Sequence, residues 1–374
     1  MTGRPRWSHV AVAAAVLVLS ACGSADGDQP GPARSSIGNT AESLTTMPSP
    51  APSTAPAGST DPASTDPGST DPGGTDPIGG TDPIGGTDPI GGADPIFGTT
   101  PAGSAAPSAQ AATPAGESDV WIPAGDHRVP GTLALPAVQP GQQVPAVLLL
   151  HGDLGDRDAD GMFVRLADAL AARGIASLRI DFAGSGASEE PDLSLDYPGM
   201  VLDATAALTY LQQDQALDAD RVAILGFSRG GSIAATVAGT VPGVAALVSW
   251  SGAIANAFEE DPAAHEEARE NGEVVVDLGE REFQLSLAWF DTILDSHPLD
   301  DVAGYPNPVL AVVGSDDDIV DPEISNVFLA TVASTDKTLY TVEGGDHGFT
   351  ADQEYGDEAV GVTTDWLATR FGLA

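Results

Sequence analysis

Lysine is nearly missing from this sequence. Lys337 is the only one, and with arginine the basic total reaches just 14 against 54 acidic residues, a formal charge of −40 at pH 7 over 374 residues. A chain so poor in cations has nothing with which to neutralise phosphates, which excludes nucleic acid as a partner. The same shortage excludes polybasic attachment to an anionic membrane surface. Cysteine is as scarce. Cys22 stands alone, so an internal disulfide and a thiolate metal cluster are both ruled out. Beyond the N-terminus no uninterrupted apolar run is long enough to span a bilayer.

What is present begins with an export signal over residues 1–22. Arg4 and Arg6 make a basic start, Val10 to Leu19 an apolar core, and small residues follow. The run closes on Leu19-Ser20-Ala21-Cys22, which resembles the lipobox of bacterial lipoproteins. The resemblance implies that Cys22 is lipidated and becomes the first residue of the mature protein. The chain would then be anchored to the cell membrane on its extracytoplasmic face without spanning it. Residues 23–116 are Pro, Gly, Ser, Thr, Ala and Asp with almost nothing to bury. Thr-Asp-Pro-Ile-Gly-Gly recurs at 75–80, 81–86 and 87–92. One isoleucine per repeat beside an obligatory proline cannot build a β-helix core, because proline removes a ladder donor at each turn. The expectation is a disordered tether.

Large apolar residues return at about Glu117, and 117–374 is long enough for one sizeable domain. It carries 11 basic against 44 acidic residues, a net of −33, which speaks for solubility and not for a fold. An opening antiparallel pair (120–123, 131–135) is followed by strands at 146–150, 175–180, 221–227, 244–250, 309–313 and 338–342. Helical patterns alternate with them at 161–173, 196–213, 230–240, 322–333 and 353–370. This alternation predicts an α/β fold, with a mostly parallel central sheet and helices on both faces. Residues 251–306 are too long for a loop. They read as a small cap insertion with a helix, the hairpin 274–277/282–285 and a second helix. Its aromatics Phe258, Phe283, Trp289 and Phe290 either line an acyl or aryl pocket or simply pack the insertion.

The chemistry concentrates at Gly226-Phe227-Ser228-Arg229-Gly230, between an apolar strand and a small-residue helix. That is the context of a nucleophile elbow, in which the glycines permit the tight turn and the serine is exposed at a helix N-terminus. A serine hydroxyl needs a base, and the base needs an orienting group. Of the histidines after Ser228, only His347 follows a core strand; His265 and His297 fall in the insertion. Between them lies Gly314-Ser315-Asp316-Asp317-Asp318-Ile319-Val320, whose adjacent aspartates point different ways, so at most one serves. It lacks the alternating ligands and distal Glu of a calcium loop.

These stretches resemble the α/β-hydrolase superfamily. The acid loop matches Gly-x-x-Asp-x-x-Val at Gly314, Asp317 and Val320, which favours Asp317 with Asp316 as rival. His151-Gly152-Asp153-Leu154-Gly155 is similar to the family's His-Gly-x-x-Gly. Asp181-Phe182-Ala183-Gly184-Ser185-Gly186-Ala187-Ser188 looks like its Asp-x-x-Gly-x-Gly-x-Ser turn. Over 144–374 the chain is similar to bacterial cinnamoyl/feruloyl esterases and dienelactone-hydrolase-like serine hydrolases. The resemblance implies the catalytic set Ser228, His347 and Asp317, and an oxyanion hole from the backbone N–H groups of Asp153 and Arg229. His151 then holds its loop. A small-molecule carboxylic ester is the expected substrate, with no cofactor and no metal. A thioesterase or peptidase on the same residues, or a non-catalytic cell-envelope binding module, is the alternative.

Overall fold

The computed structural model describes residues 115–255, 262–277 and 282–373. The signal segment with Cys22, the tether as far as residue 114, Phe258 and the hairpin turn Leu278-Gly279-Glu280-Arg281 lie outside the described residues.

Five strands follow one another before the insertion: β1 (Gly116–Ala124), β2 (His127–Leu135), β3 (Val144–Leu150), β4 (Ala176–Ile180) and β5 (Leu217–Phe227). β6 (Ala246–Trp250), β9 (Val309–Gly314) and β10 (Lys337–Val342) complete an eight-stranded sheet in the order β1-β2-β4-β3-β5-β6-β9-β10. β1, β2 and β4 pair antiparallel, and every later pairing is parallel. β3, β6 and β9 are buried at each position. A strand covered on both faces needs a largely unbroken apolar run, not alternation, which is why these segments are dominated by Val, Leu and Ala.

Alternate side chains feed two cores. Ala146, Leu148 and Leu150 of β3 enter one cluster, and Val147 and Leu149 enter the other, as the two-residue period of a strand demands. The first cluster is closed by α2 (Tyr197–Gln213) and α3 (Arg229–Thr240), the second by α1 (Met162–Ala172) and α8 (Gln353–Arg370). Each fully buried Leu or Val contributes about 1.5–3 kcal/mol. α2 begins where the Asp196 carboxylate accepts the Gly199 N–H at 2.7 Å, an N-cap that satisfies an orphan donor.

β3 has β4 on one side and β5 on the other. The chain leaves β3 toward one edge and returns on the opposite side, so the strand order reverses here. In open α/β sheets the crevice beyond the carboxyl ends at such a reversal is where functional groups gather.

Between β6 and β9 lie α4 (Pro262–Asn271), the antiparallel pair β7 (Glu273–Asp277) and β8 (Glu282–Ser286), α5 (Leu287–Leu294) and α6 (Pro298–Val302). α6 has no counterpart in the sequence reading; a five-residue helix is too short to show a period. The insertion reaches from the loop after β4 to the second half of α3. The Gln284 N–H donates to Asp192 at 3.3 Å, and the Tyr197 N–H donates to the Thr292 hydroxyl at 3.1 Å. Thr236 of α3 donates to Asp301 at 2.9 Å. Phe283 and Phe290 are buried in the first core cluster, so these two pack the insertion against the domain. α7 (Glu323–Thr331) stops two residues before the expected end. The single lysine caps this end: Lys337 Nζ donates to the carbonyls of Leu329 and Val332 at 2.6 and 2.7 Å.

Candidate functional site

Ser228 stands where β5 turns into α3, with φ 52° and ψ −120°. A non-glycine residue pays for that backbone conformation, and it persists only where neighbours over-determine it. They do here. The Ser228 N–H donates to the Trp250 carbonyl at 3.0 Å, and the Ser228 carbonyl accepts from Gly231 and Ala253 at 2.9 and 3.0 Å. A Cβ on Gly226 would lie 2.0 Å from the Gly230 carbonyl oxygen, and one on Gly230 would lie 2.1 Å from that of Leu150. Both glycines are therefore contact points between backbones. Ser228 itself is half-buried.

The loops after β9 and β10 are laced together by their main chains. The Ser315 N–H donates to Val342 at 3.0 Å, the Asp316 N–H to Gly345 at 2.9 Å, and the Gly344 N–H to the Ser315 hydroxyl at 2.7 Å. Gly314 permits this, since a Cβ there would sit 2.1 Å from the Gly345 oxygen. The lacing sets Asp317 against His347. Nδ1 of His347 meets Oδ2 at 2.9 Å and Oδ1 at 3.1 Å. A carboxylate only accepts, so Nδ1 carries the proton and Nε2 is left as the acceptor. Oδ1 of Asp317 also accepts the N–H groups of Ile319 and Val320 at 3.0 and 2.9 Å. Asp317 and His347 are both buried, whereas Asp316 and Asp318 are exposed. Among the described residues Asp316 accepts from one side chain, the Ser315 hydroxyl at 3.1 Å. Of the two rivals, Asp317 is the one that meets His347.

The His347 ring packs 5.0 Å from the ring of Phe227, the residue before Ser228. Among the described residues no hydrogen bond joins the Ser228 hydroxyl to His347. Such bonds are often long before a substrate closes the site.

The loop after β3 is held by His151, whose burial depresses its pKa against the pull of the Gly152 carbonyl and nearby aspartates. The neutral ring donates from Nδ1 to the Gly152 carbonyl at 2.7 Å and accepts the Phe182 N–H on Nε2 at 3.3 Å. The Gly152 carbonyl is thereby fixed. Across a planar trans peptide the Asp153 N–H must point the opposite way. Gly152 packs on the elbow: a Cβ there would lie 3.0 Å from the Ser228 Cβ.

The Asp181 turn is structural. Its buried carboxylate accepts the N–H groups of Arg157 and Ala187 at 2.7 and 3.0 Å. Gly186 leaves it room, since a Cβ there would be 2.3 Å from Oδ1.

Comparison with known proteins bears on this arrangement. A family model described as the alpha/beta hydrolase fold matches residues 145–273. An uncharacterized protein of Mycobacterium tuberculosis is 30% identical over 238 residues, which is 63% of this chain and 73% of the relative. The chain belongs to the α/β-hydrolase fold family. Solved structures agree at the level of fold. Est1E from Butyrivibrio proteoclasticus, with ferulic acid bound, superposes with a TM-score of 0.57 at 20% identity, covering 68% of this chain and 99% of its own. The α/β hydrolase GrgF from Penicillium sp. gives 0.58 at 19% identity, covering 69% and 99%.

Two features of this α/β-hydrolase escaped the sequence reading. The side chains of the two expected oxyanion residues meet: Arg229 Nε donates to Asp153 Oδ2 at 3.0 Å. A second Asp–His pair lies away from the elbow, with His127 Nε2 at 2.7 Å from Asp203 Oδ1. No local pattern announces either, because each joins residues 76 apart in sequence. Of the other histidines, His265 stacks on Phe290 and bonds Asp291 at 3.0 Å within the insertion, and His297 is exposed at the start of α6. Among the described residues no group of three or more His, Cys, Asp or Glu is arranged to hold a metal ion.

Proposed function

We propose that the chain is a serine hydrolase that cleaves carboxylic esters through an acyl-enzyme. Ser228 attacks the ester carbonyl carbon as His347 Nε2 takes its proton. The protonated imidazole gives that proton to the leaving alcohol oxygen. Water then repeats the sequence on the acyl-enzyme and releases the acid. Asp317 keeps Nδ1 protonated and stabilises the imidazolium. The N–H groups of Asp153 and Arg229 hold the oxyanion. One observation carries this reading: a serine in a costly left-handed conformation on the elbow, with a buried Asp–His pair packed on the residue before it. The ferulic acid named with Est1E makes esters of aromatic acids the substrate class to test first.

Ser228→Ala tests it. Turnover of p-nitrophenyl acetate should fall at least about 10³-fold with the fold intact, and a fluorophosphonate should label the wild type but not the variant. Unchanged turnover refutes the assignment.

The place of action rests on sequence alone. We infer a lipid anchor on Cys22 and an extracytoplasmic location. Cys22→Ser should move the protein out of the membrane fraction; a variant still membrane-bound and lipid-labelled refutes it.

A further inference from the structure

Among the described residues the ring of His347 has its hydrogen bonds with Asp317. Those bonds fix the imidazole relative to the acid loop, but not relative to the elbow. Phe349, two residues further on, supplies a second hold. Its φ is 57°. That left-handed region suits glycine or asparagine, and a bulky residue stays there only where its surroundings over-determine it. The buried Phe349 ring stands edge-on to the indole of Trp250, with centroids 5.9 Å apart at 82°, a favoured aromatic geometry. Trp250 is itself held from two sides. Its Nε1 donates to the Thr363 hydroxyl of α8 at 2.8 Å, and Phe163 of α1 packs on the ring at 6.1 Å.

Trp250 also holds the elbow. Its carbonyl accepts the Ser228 N–H at 3.0 Å, and in the β5–β6 pairing it lies opposite Phe227. The Phe227 ring in turn meets that of His347. The His347 loop therefore touches the two strands of the elbow at two points, His347 on Phe227 and Phe349 on Trp250. Two residues in left-handed conformations, Ser228 at φ 52° and Phe349 at φ 57°, are joined through one tryptophan.

We propose that Phe349 is a positioning residue for the reaction proposed above: its ring, seated on Trp250, sets the distance of the His347 imidazole from the Ser228 hydroxyl. The lacing between the loops after β9 and β10 places His347 against Asp317; Phe349 places it against the elbow. The inference rests on Ser228 and His347 acting as nucleophile and base. Plain core filling is the competing account, and Phe163 is its matched control. Both phenylalanines are 0% exposed and both pack on Trp250. Phe163, however, belongs to a helix that carries no site residue.

The test compares Phe349→Leu with Phe163→Leu in the full chain, by denaturant midpoint, p-nitrophenyl acetate kinetics and the rate of fluorophosphonate labelling. Both truncations remove buried ring atoms, so both should lower the midpoint. Only Phe349→Leu should lower kcat, by about 10- to 100-fold with KM within about threefold, since a misplacement of about 1 Å can cost about 10²-fold. Its labelling rate should fall in step, because the reagent draws on the same Ser228-to-His347 proton transfer. Folded Phe163→Leu should keep both rates within about threefold of wild type. Equal or larger rate losses in Phe163→Leu, or a folded Phe349→Leu with wild-type kcat, overturn the proposal. Should Phe349→Leu fail to fold by circular dichroism, Phe349→Met, which keeps more of the buried volume, decides alone. A kcat down more than about threefold at unchanged KM then supports the proposal, and one within that range of wild type overturns it. A wild type that hydrolyses no ester and takes no fluorophosphonate refutes the nucleophile reading, and the proposal with it.

Discussion

Among the described residues two Asp–His pairs have a buried carboxylate, and only one of them stands near the elbow. Asp317–His347 and Asp203–His127 have similar bonds, 2.9 and 2.7 Å, and both carboxylates are buried. What differs is what the rest of each pair does. Asp203 spends its second oxygen on the Ala183 N–H at 2.8 Å, and the far nitrogen of His127 faces exposed Asp126 at 3.6 Å. That pair ties the β1–β2 turn and the loop after β4 to α2. Asp317 spends Oδ1 on its own loop, so the carboxylate is rigid, and the far nitrogen of His347 is left without a protein partner among the described residues. A hydrogen-bonded Asp–His pair is therefore no mark of a site by itself. What sets the inner pair apart is an imidazole whose far nitrogen has no protein partner among the described residues and whose ring packs on Phe227, the residue before the strained, half-buried Ser228.

Exchanging the carboxylate in each pair separates the two roles, and the largest effect belongs to Asp317. Asp317→Asn keeps the shape but lets His347 settle in the wrong tautomer. By the cost of that change in other serine hydrolases, kcat for p-nitrophenyl acetate should fall about 10⁴-fold, with a small shift in Tm. Asp203→Ala should do the reverse. It leaves the buried Ala183 N–H without its acceptor and the half-buried His127 ring without its main partner, costing about 1–3 kcal/mol of stability, while kcat of the folded protein stays near wild type. Denaturant midpoints and initial rates on the same preparations read both. If Asp203→Ala lost activity as Asp317→Asn does, without unfolding, the distinction would collapse.

The same contrast shows how much was legible beforehand. The site pair was readable because its residues sit in local patterns that backbone geometry enforces. Gly226, Gly230 and Gly314 are glycine because another main chain occupies the place of a Cβ. Those constraints act over a few residues, so they leave a spaced signature. Among Asp316, Asp317 and Asp318 the resemblance already favours Asp317; the fold adds that it alone of the three is buried and meets His347. Asp203 looks like an ordinary acid on a helix, and His127 like a loop histidine. Their meeting depends on how β1, β2 and α2 pack. The Asp153–Arg229 contact is of the same kind. Phe283 and Phe290 illustrate a third case: an aromatic in an insertion reads equally well as pocket lining or packing until its surroundings are known.

The smallest predicted effect is on pH dependence, and it concerns the outer pair. Burial by itself lowers the His127 pKa, but the hydrogen bond and charge of Asp203 overcome it and leave the pKa raised above 6.5. The folded protein thus holds this proton more tightly than the unfolded chain does. The stabilisation is fully present below about pH 6.5, the unfolded value, and is lost as pH rises through the folded one. Burial raises the Asp203 pKa as well, against the Ala183 N–H and His127; that contribution favours the fold below the unfolded carboxyl value and is lost as pH rises through the folded one. Buried His151 works in the opposite sense, because its lowered pKa costs stability as pH falls below 6.5. The wild-type profile mixes these opposing histidines, so the difference between two proteins is the clean measurement. His127→Gln removes one of them and leaves His151 unchanged. The stability gap between wild type and His127→Gln should be widest near pH 5.5 and narrow toward pH 8, by no more than about 1.4 kcal/mol per pH unit for one proton. A gap that stays constant or widens with pH would show that Asp203 holds His127 by geometry alone, without preferring its charged form.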